Sequence, residues 1–598
     1  MRFVVDALFR QYKVIVLLDW APPMNRIPAS FSPGQSATDS SGQIAHPKTI
    51  EHSARLVEKL YQVGEKSWTY VGNGLSNQSF VEGPEGLIVI DTGECVEEME
   101  AALVAIRKET EAPIVAVIYT HFHYVGGTDA VIKASGNTNL PIYGHVGIEP
   151  NLQRFGGEVG PRGARGLVHQ FAVMLPTEGP DGLVNVGLGR FLRNPSHAPF
   201  TPGHVPATIN FNEPSEFIIA GLEVQCFPAP SDATDSITIW FPELKLAINN
   251  LLWPVLFNVF AIRGEEYRDP RVLLKGLDEM AALGADYLLG AHGPPLEGGE
   301  HIQTTITDYR DSIQFMWDQT ARGANRGLSL DELITFVQLP EKFSSNFFTQ
   351  QLYGVVEHHV RQIYTGLFGW FDEDESKLFP TPAPDRAARL IKGFGGVEAI
   401  RAQIDAALEI QDYRWSIELA SWLVRSELNE TGRADAGEVQ DRERLAAGLR
   451  GVAQSTTSAN VRNWCLTRAL ELEGTLDLTR FRLHRFRAKE VASQPLGVSL
   501  SLLRVLLVPN VTKDLSDEVS VVLDSGEQAG LRIRNQVGIP TDGSEAELCV
   551  TLSKVDWAAL LGGKRNLSDL IESGAAECSM PERLVCFFRC FDCATLKS

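Results

Sequence analysis

The sequence predicts an α/β block, then an all-helical block, then a smaller block of mixed strands and helices. Three observations predict it. Short β runs separated by Gly or Asn begin near residue 65 and alternate with helical periodicity as far as about 300. Amphipathic helices follow one another from 302 to 475 with no strand pattern between them. From about 478 short apolar strand-like runs return. A chain of 598 residues has room for three or four domains of about 150 each.

The elements read in order as follows. Residues 28–47 (PASFSPGQSATDSSGQIAHP), rich in Ser, Pro and Gly, read as a flexible lead-in. TYVGN (69–73), QSFVEG (78–83) and GLIVIDTG (86–93) are strands. A helical pattern at 94–110 follows, then the apolar strand IVAVIYT at 114–120. Further strands lie at 216–228, 236–241 and 244–249, with a helix at 270–283 and another apolar run, ADYLLGAHG, at 285–293. The helical block is divided by a Pro-rich break, LFPTPAPD, at 378–385. The last block reads as strands LGVSLSLLRVLLV (496–508), SVVLDS (520–525), GLRIRN (530–535) and AELCVTLS (546–553), with helices at 557–563 and 566–573. Boundaries therefore fall near 300 and 477 and, with the lead-in set apart at 47, give segments 1–47, 48–300, 301–477 and 478–598.

Composition narrows the function classes. Lys plus Arg is 54 against 75 for Asp plus Glu, a formal charge of −21. So acidic a surface repels phosphate backbones, which argues against nucleic acid as a partner. An anion site in such a chain needs a local positive charge, and a metal ion supplies it compactly. No run of 18 apolar residues is present, so no transmembrane segment is expected. The N-terminal MRFVVDALFRQYKVIVLLDWAPP makes a poor secretory signal because polar residues interrupt its apolar patch. A cytoplasmic protein is the favoured reading, with a secreted or periplasmic one left open. Eight cysteines are too scattered for a disulfide framework, and Cys95, Cys226, Cys465 and Cys549 read as buried thiols.

The feature that carries chemistry is Tyr119-Thr120-His121-Phe122-His123-Tyr124. Two histidines two apart, on a loop leaving the carboxyl end of a buried strand, can aim both imidazoles at one point, and neutral imidazole is a preferred ligand of Zn²⁺. An H-x-H alone also arises by chance as a polar loop pair. The order GLIVIDTG, helix, strand and H-x-H resembles the metallo-β-lactamase fold, whose loop carries H-x-H-x-D-H. Here Tyr124, Val125 and Gly126 follow His123, so the usual Asp and third His are absent.

A wider resemblance rests on RGARGLVHQFAVMLP (162–176), GLVNVGLG (182–189), NNLLWPVLFNVFAIRG (249–264), TDYRDSIQFMWDQTARGANRGL (307–328), LFGWFD (367–372), QDYRWSIELASWLV (411–424) and RNWCLTRALEL (462–472). With these the chain resembles linear alkylsulfatases of the metallo-β-lactamase superfamily. That resemblance implies an αββα catalytic sandwich, a helical dimerisation domain and a C-terminal α+β domain like sterol carrier protein. It implies a homodimer formed through residues of about 305–475, and a substrate resembling an alkyl sulfate.

Carried over position by position, the resemblance makes His121, His123, Asp232 and His292 metal ligands, with Asp235 the fallback in the PSDATDS loop. The bridging Glu of the family is replaced at Asn249-Asn250. Without the loop Asp, loop His and bridging Glu, two cations lack the carboxylates that offset their repulsion, so one zinc is expected rather than two. A hydroxide on that metal would attack the ester. Asn258 and Arg263 match the family's sulfate contacts, and a planar guanidinium suits sulfate oxygens; an ion pair is the alternative for Arg263, and a satisfied loop residue for His292. Tyr124 would fill the second metal position, donate a proton, or only pack.

Two other patterns carry less. Cys586, Cys590 and Cys593 have an iron–sulfur spacing without the sequence context. His358-His359 point about 100° apart on a helix and cannot share a metal. The function expected is metal-dependent hydrolysis of a sulfate or related ester of an amphiphile. A degenerate relative that binds amphiphiles without turnover, and a mononuclear hydrolase of another ester, are the alternatives.

Overall fold

The computed structural model describes residues 28–596 apart from 156, 431, 594 and 595; the N-terminal stretch weighed as a secretory signal lies outside the described residues. The described residues divide into two compact units, residues 28–152 with 166–477, and residues 153–165 with 478–596.

The first unit is built on two sheets. One has seven strands in sequence order: β1 (Lys59–Val63), β2 (Ser67–Val71), β3 (Gln78–Gly83), β4 (Gly86–Ile90), β5 (Ile114–Ile118), β6 (Ile142–His145) and β7 (Ile209–Phe211). Pairing is antiparallel through β4 and parallel from there on. The parallel pair β4 and β5 is joined by helix α1 (Val96–Ile106) and reads GLIVI and IVAVI, the near-continuous apolar text of strands covered on both faces. Helix α2 (Thr128–Ser135) follows the loop after β5.

The second sheet runs β8 (Ser215–Ile219), β9 (Leu222–Pro228), β10 (Ile237–Phe241), β11 (Leu246–Asn249), β12 (Tyr287–Gly290) and β13 (Leu296–Glu297). Ala220 and Gly221 turn the β8–β9 hairpin with φ +54° and +78°. Alternate residues of β9, Leu222, Val224 and Cys226, face inward and meet Ile88, Ile90, Ala116 and Ile118 of the first sheet in one core. Helix α3 (Pro270–Ala282) crosses between the parallel β11 and β12.

The helical block joins this unit directly. Helices α3, α4 (Gly299–Ala324) and α5 (Val356–Phe368) share a core with Trp253, Val255 and Phe257 from the loop after β11. A second helical core is formed by α6 (Val397–Glu409), α7 (Tyr413–Arg425), α8 (Val439–Ser455) and α9 (Ala459–Leu472) around Ile404, Leu419, Leu449 and Leu466. The lead-in expected to be flexible is instead held over its described part. It forms a small ribbon, Ala37–Thr38 with Ile44–Ala45, and the Ser32 N–H donates to Ser455 O at 2.9 Å.

The second unit has a five-stranded sheet in the order β16 (Val537–Thr541), β15 (Gln528–Arg534), β14 (Asp517–Leu523), β17 (Leu548–Leu552), β18 (Ala576–Cys578). The run at 496–508, expected as a strand, is a helix over Leu496–Leu502 and a tight turn over Leu503–Leu506. Its buried residues Leu496, Leu500 and Leu503 recur at helical spacing, and Pro495 sets the N-terminus; an apolar run without alternation fits either structure by periodicity alone. Cys549, expected buried, is half-buried, and Cys586, Cys590 and Cys593 belong to no group that could hold a cation among the described residues.

Candidate metal centre

The strand ends of both sheets bring the functional loops together. After β5 a single 3-10 turn, Phe122–Tyr124, swings the rings of His121 and His123 to a centroid distance of 5.0 Å at 85°. From the second sheet, the loop between β9 and β10 supplies Asp232. One of its oxygens lies 3.3 Å from His123 Nδ1 and the other 3.9 Å from His121 Nε2. Ligand atoms of these three residues all lie within 4.8 Å of one another. Asp235, the alternative acid, is outside this group, and its Oδ1 accepts from Asn151 Nδ2 at 2.7 Å.

The histidine tautomer is set from behind. Thr120 Oγ1 donates to Asp91 Oδ2 at 2.6 Å, so it accepts from His121 Nδ1–H at 2.9 Å, and the bare Nε2 lone pair points toward Asp232. Asp91 sits just past β4 at φ +57°, a strained conformation for a non-glycine residue, stabilised by the Thr120 N–H at 2.8 Å and the Thr120 hydroxyl. Burial lowers His121 to about 3, so it is neutral at physiological pH. Burial alone would raise Asp232, but His123, His121 and Arg268 outweigh it and hold the carboxyl well below its ordinary range. Both ring nitrogens of His123 are buried without a hydrogen-bond partner. Two imidazoles and a carboxylate, one imidazole otherwise orphaned, fit a divalent cation.

His292, expected as a fourth ligand, is held apart from this group. Its Nδ1–H donates to Leu75 O at 3.1 Å, so its Nε2 accepts from the Tyr124 hydroxyl at 3.2 Å. Burial lowers its pKa to about 4. Tyr124 thus stands between the two histidines, its ring 4.9 Å from His121 and 5.5 Å from His292. Burial, with Asp232 and Glu94 nearby, raises the Tyr124 phenol well above its ordinary value. The phenol occupies the space beside His121 as a neutral group.

The replaced bridging position is equally informative. Asn250 Nδ2 donates to Asp232 Oδ1 at 2.6 Å and reaches His121 Nε2 at 3.2 Å. Its carbonyl oxygen accepts from Trp253 Nε1 at 3.1 Å. The indole therefore fixes the amide with its NH₂ toward the centre, so coordination through the amide carbonyl would require breaking that bond.

Arg263 is buried, 7% exposed, and its Nη2 pairs with Glu265 Oε1 at 2.5 Å. Glu265 also holds Arg268 at 2.7 Å. Arg263 is thus paired inside the protein, close enough to the centre for the Asp232 charge to act on it. The Arg263 N–H donates to Gln170 Oε1 at 3.1 Å, and Gln170 Nε2 donates to Tyr353 OH at 2.7 Å. Asn258, 1% exposed, has both amide atoms without partners. A methyl added at Gly354 would stand 2.5 Å from its Oδ1, so its amide lies against the α5 end of the helical block. Trp253, Glu265 and Gln170 were not singled out in the sequence; Asp91 entered it only within the GLIVIDTG strand end, and Asn250 only as half of the Asn249-Asn250 position.

Comparisons with known proteins follow the same division. The family profile for alkyl sulfatase dimerisation matches residues 329–475, and that for the metallo-beta-lactamase superfamily matches residues 71–219. A linear primary-alkylsulfatase of a Pseudomonas strain is 33% identical over 66% of this chain and 74% of its own. An (R)-specific secondary-alkylsulfatase of Pseudomonas is 26% identical over 88% of this chain and 80% of its own. An alkyl/aryl-sulfatase of Saccharomyces cerevisiae is 26% identical over 91% of this chain and 83% of its own. Among solved structures, a stereoselective inverting sec-alkylsulfatase from Pseudomonas superposes with a TM-score of 0.78 at 23% identity, covering 97% of this chain and 95% of that one; this similarity bears on the fold.

Proposed function

The chain belongs to the alkylsulfatase family of the metallo-β-lactamase superfamily, and from that premise we propose that it hydrolyses the sulfate ester of an amphiphilic alkyl substrate at the His121–His123–Asp232 centre. The observation that carries this reading is the convergence of two imidazoles and a carboxylate from different sheets, with the buried Arg263 charge beside them.

His121, His123 and Asp232 would hold one divalent cation, zinc by the preference of its donors. Bound there, the cation lowers the pKa of a coordinated water toward 7 and polarises the ester. The protein residues do the rest. Arg263, kept in place by Glu265 and Gln170, binds the sulfate oxygens, and Asn258 flanks the same loop. Tyr124 keeps a second cation out of the space beside His292 and orients His292 through its hydroxyl. With Asn250 presenting an NH₂ rather than a carboxylate, a single-ion site follows. In this reading residues 48–300 form the catalytic domain, residues 301–477 a homodimer contact, and residues 478–598 a domain like sterol carrier protein. Among the described residues no helix is long and apolar enough to cross a membrane.

Turnover of dodecyl sulfate by the purified protein, with His123→Ala as control, tests the proposal. Sulfate release by the native chain and none by the variant is expected. Metal binding without release would favour the amphiphile-binding alternative.

A further inference from the structure

Glu94 is the residue after the Asp91-Thr92-Gly93 turn, and the structure attaches it to the metal loop. The Thr92 N–H donates to Tyr124 O at 2.8 Å and the Gly126 N–H to Gly93 O at 2.8 Å, so the two loops pair as a short parallel bridge, Gly93 with Val125. A Cβ on Gly126 would overlap the Glu94 carbonyl, so the loops touch at this step. From there the Glu94 side chain runs inward, where its Oε2 is buried with no hydrogen-bond partner among the described residues. Its charge acts on the Tyr124 phenol, and the Arg263 charge acts on it. A second carboxylate stands behind it. Glu98, on the first turn of α1 and 1% exposed, accepts from Gln78 Nε2 at 2.8 Å and from the Glu94 N–H at 3.2 Å.

These two acids are placed unequally. Glu98 has donors for a negative charge, and Glu94 Oε2 has none. Burial raises Glu98 too, to about 7, and two interacting carboxyl groups cannot both ionise readily, so the proton favours Glu94, whose Oε2 has no donor. Burial, then the Glu98 charge, push Glu94 well above the ordinary carboxyl range, while Arg193 and Arg263 pull the other way.

Resting on the hydrolase reading above, we propose that Glu94 is the proton donor to the departing ester oxygen. As the S–O bond to the alkyl oxygen breaks, its electron pair stays on that oxygen. The Glu94 carboxyl proton moves to it and gives the alcohol. Glu94 is left as a carboxylate and takes back a proton from the water that supplies the new sulfate oxygen. An aliphatic alkoxide is a poor leaving group and needs this proton; a nitrophenolate does not.

Glu94→Gln preserves the shape of the side chain and removes its ionisation. With dodecyl sulfate, kcat/KM is expected to fall about 100-fold or more, the usual size of a lost general acid. The alkaline limb of its pH profile is expected to disappear. With 4-nitrophenyl sulfate the loss is expected to stay below about tenfold, because that leaving group needs no proton, and metal content is expected to be unchanged. Equal losses on both substrates, or an alkaline limb that persists in the variant, would overturn the proposal. If the variant does not fold, the native protein decides with a series of aryl sulfates: a rate nearly independent of leaving-group pKa supports a proton donor, and a steep dependence refutes one. A native protein that releases sulfate from no ester defeats the hydrolase reading itself, an outcome distinct from equal losses on both substrates.

Discussion

Replacing Thr120 by Val removes a hydroxyl and leaves the volume nearly the same. In the structure that hydroxyl is wholly enclosed; Thr120 is 1% exposed and His121 0%. It donates to Asp91 Oδ2 at 2.6 Å and accepts from His121 Nδ1 at 2.9 Å. The variant therefore strands one carboxylate oxygen and one ring N–H, while the Thr120 N–H still holds Asp91 Oδ1 at 2.8 Å. An unpartnered buried polar group costs about 1–3 kcal/mol, so a lower Tm is expected even without metal. The more telling effect is on the ligand. With Nδ1–H unheld, His121 can rotate and exchange tautomers, and loss of such an outer partner weakens metal binding about 10–100-fold, or about 1.4–2.7 kcal/mol. Titration of metal-free protein with zinc against a competing chelator measures it, and Thr120→Ser, which keeps the hydroxyl, is expected to restore most of the affinity. A Thr120→Val protein that binds zinc as tightly as the native chain would refute the idea that this relay orients the ligand.

Two further outcomes follow from other parts of the site. A Cβ on Gly166 would overlap the main chain of Arg263, so Gly166→Ala should displace the guanidinium, raising KM for an alkyl sulfate while zinc content stays the same; an unchanged KM would contradict the role given to Arg263. His359, buried in α5, is lowered to about 3 by burial, then by His358 and Arg268. Its folded pKa lies below the unfolded value of about 6.5, so it contributes stability above that pH, lost as pH falls from there toward about 3. Metal-free His359→Asn should accordingly lose less stability than the native chain between pH 6.5 and 4.5, by at most about 1.4 kcal/mol per pH unit. Parallel stability curves for the two proteins would contradict this.

What could be read from the sequence was whatever depends on local order. The β4–α1–β5 unit and the placement of His121 and His123 at a strand end follow from apolar runs and their punctuation, whereas Asp232 comes only from the family resemblance laid over the PSDATDS loop, which leaves Asp235 as a fallback. What could not be read depends on side chains from distant segments. That Tyr124 claims His292 requires the loop after β12 to meet the loop after β5. The orientation of the Asn250 amide is set by an indole three residues on, through a turn with no sequence signature. Glu265, between two arginines, reads as an ordinary charged loop residue until burial shows it as their shared anchor. The helix at Leu496–Leu502 was misread for a related reason: its apolar run satisfies both periods, and packing against the third sheet decides between them.

The single-cation centre is tested most directly by counting metal in the purified native protein beside His121→Ala. One equivalent per chain in the first and a small fraction in the second is the outcome required by two imidazoles, one acid and an amide turned NH₂-inward. Two equivalents per chain, or none in the native protein, would contradict it.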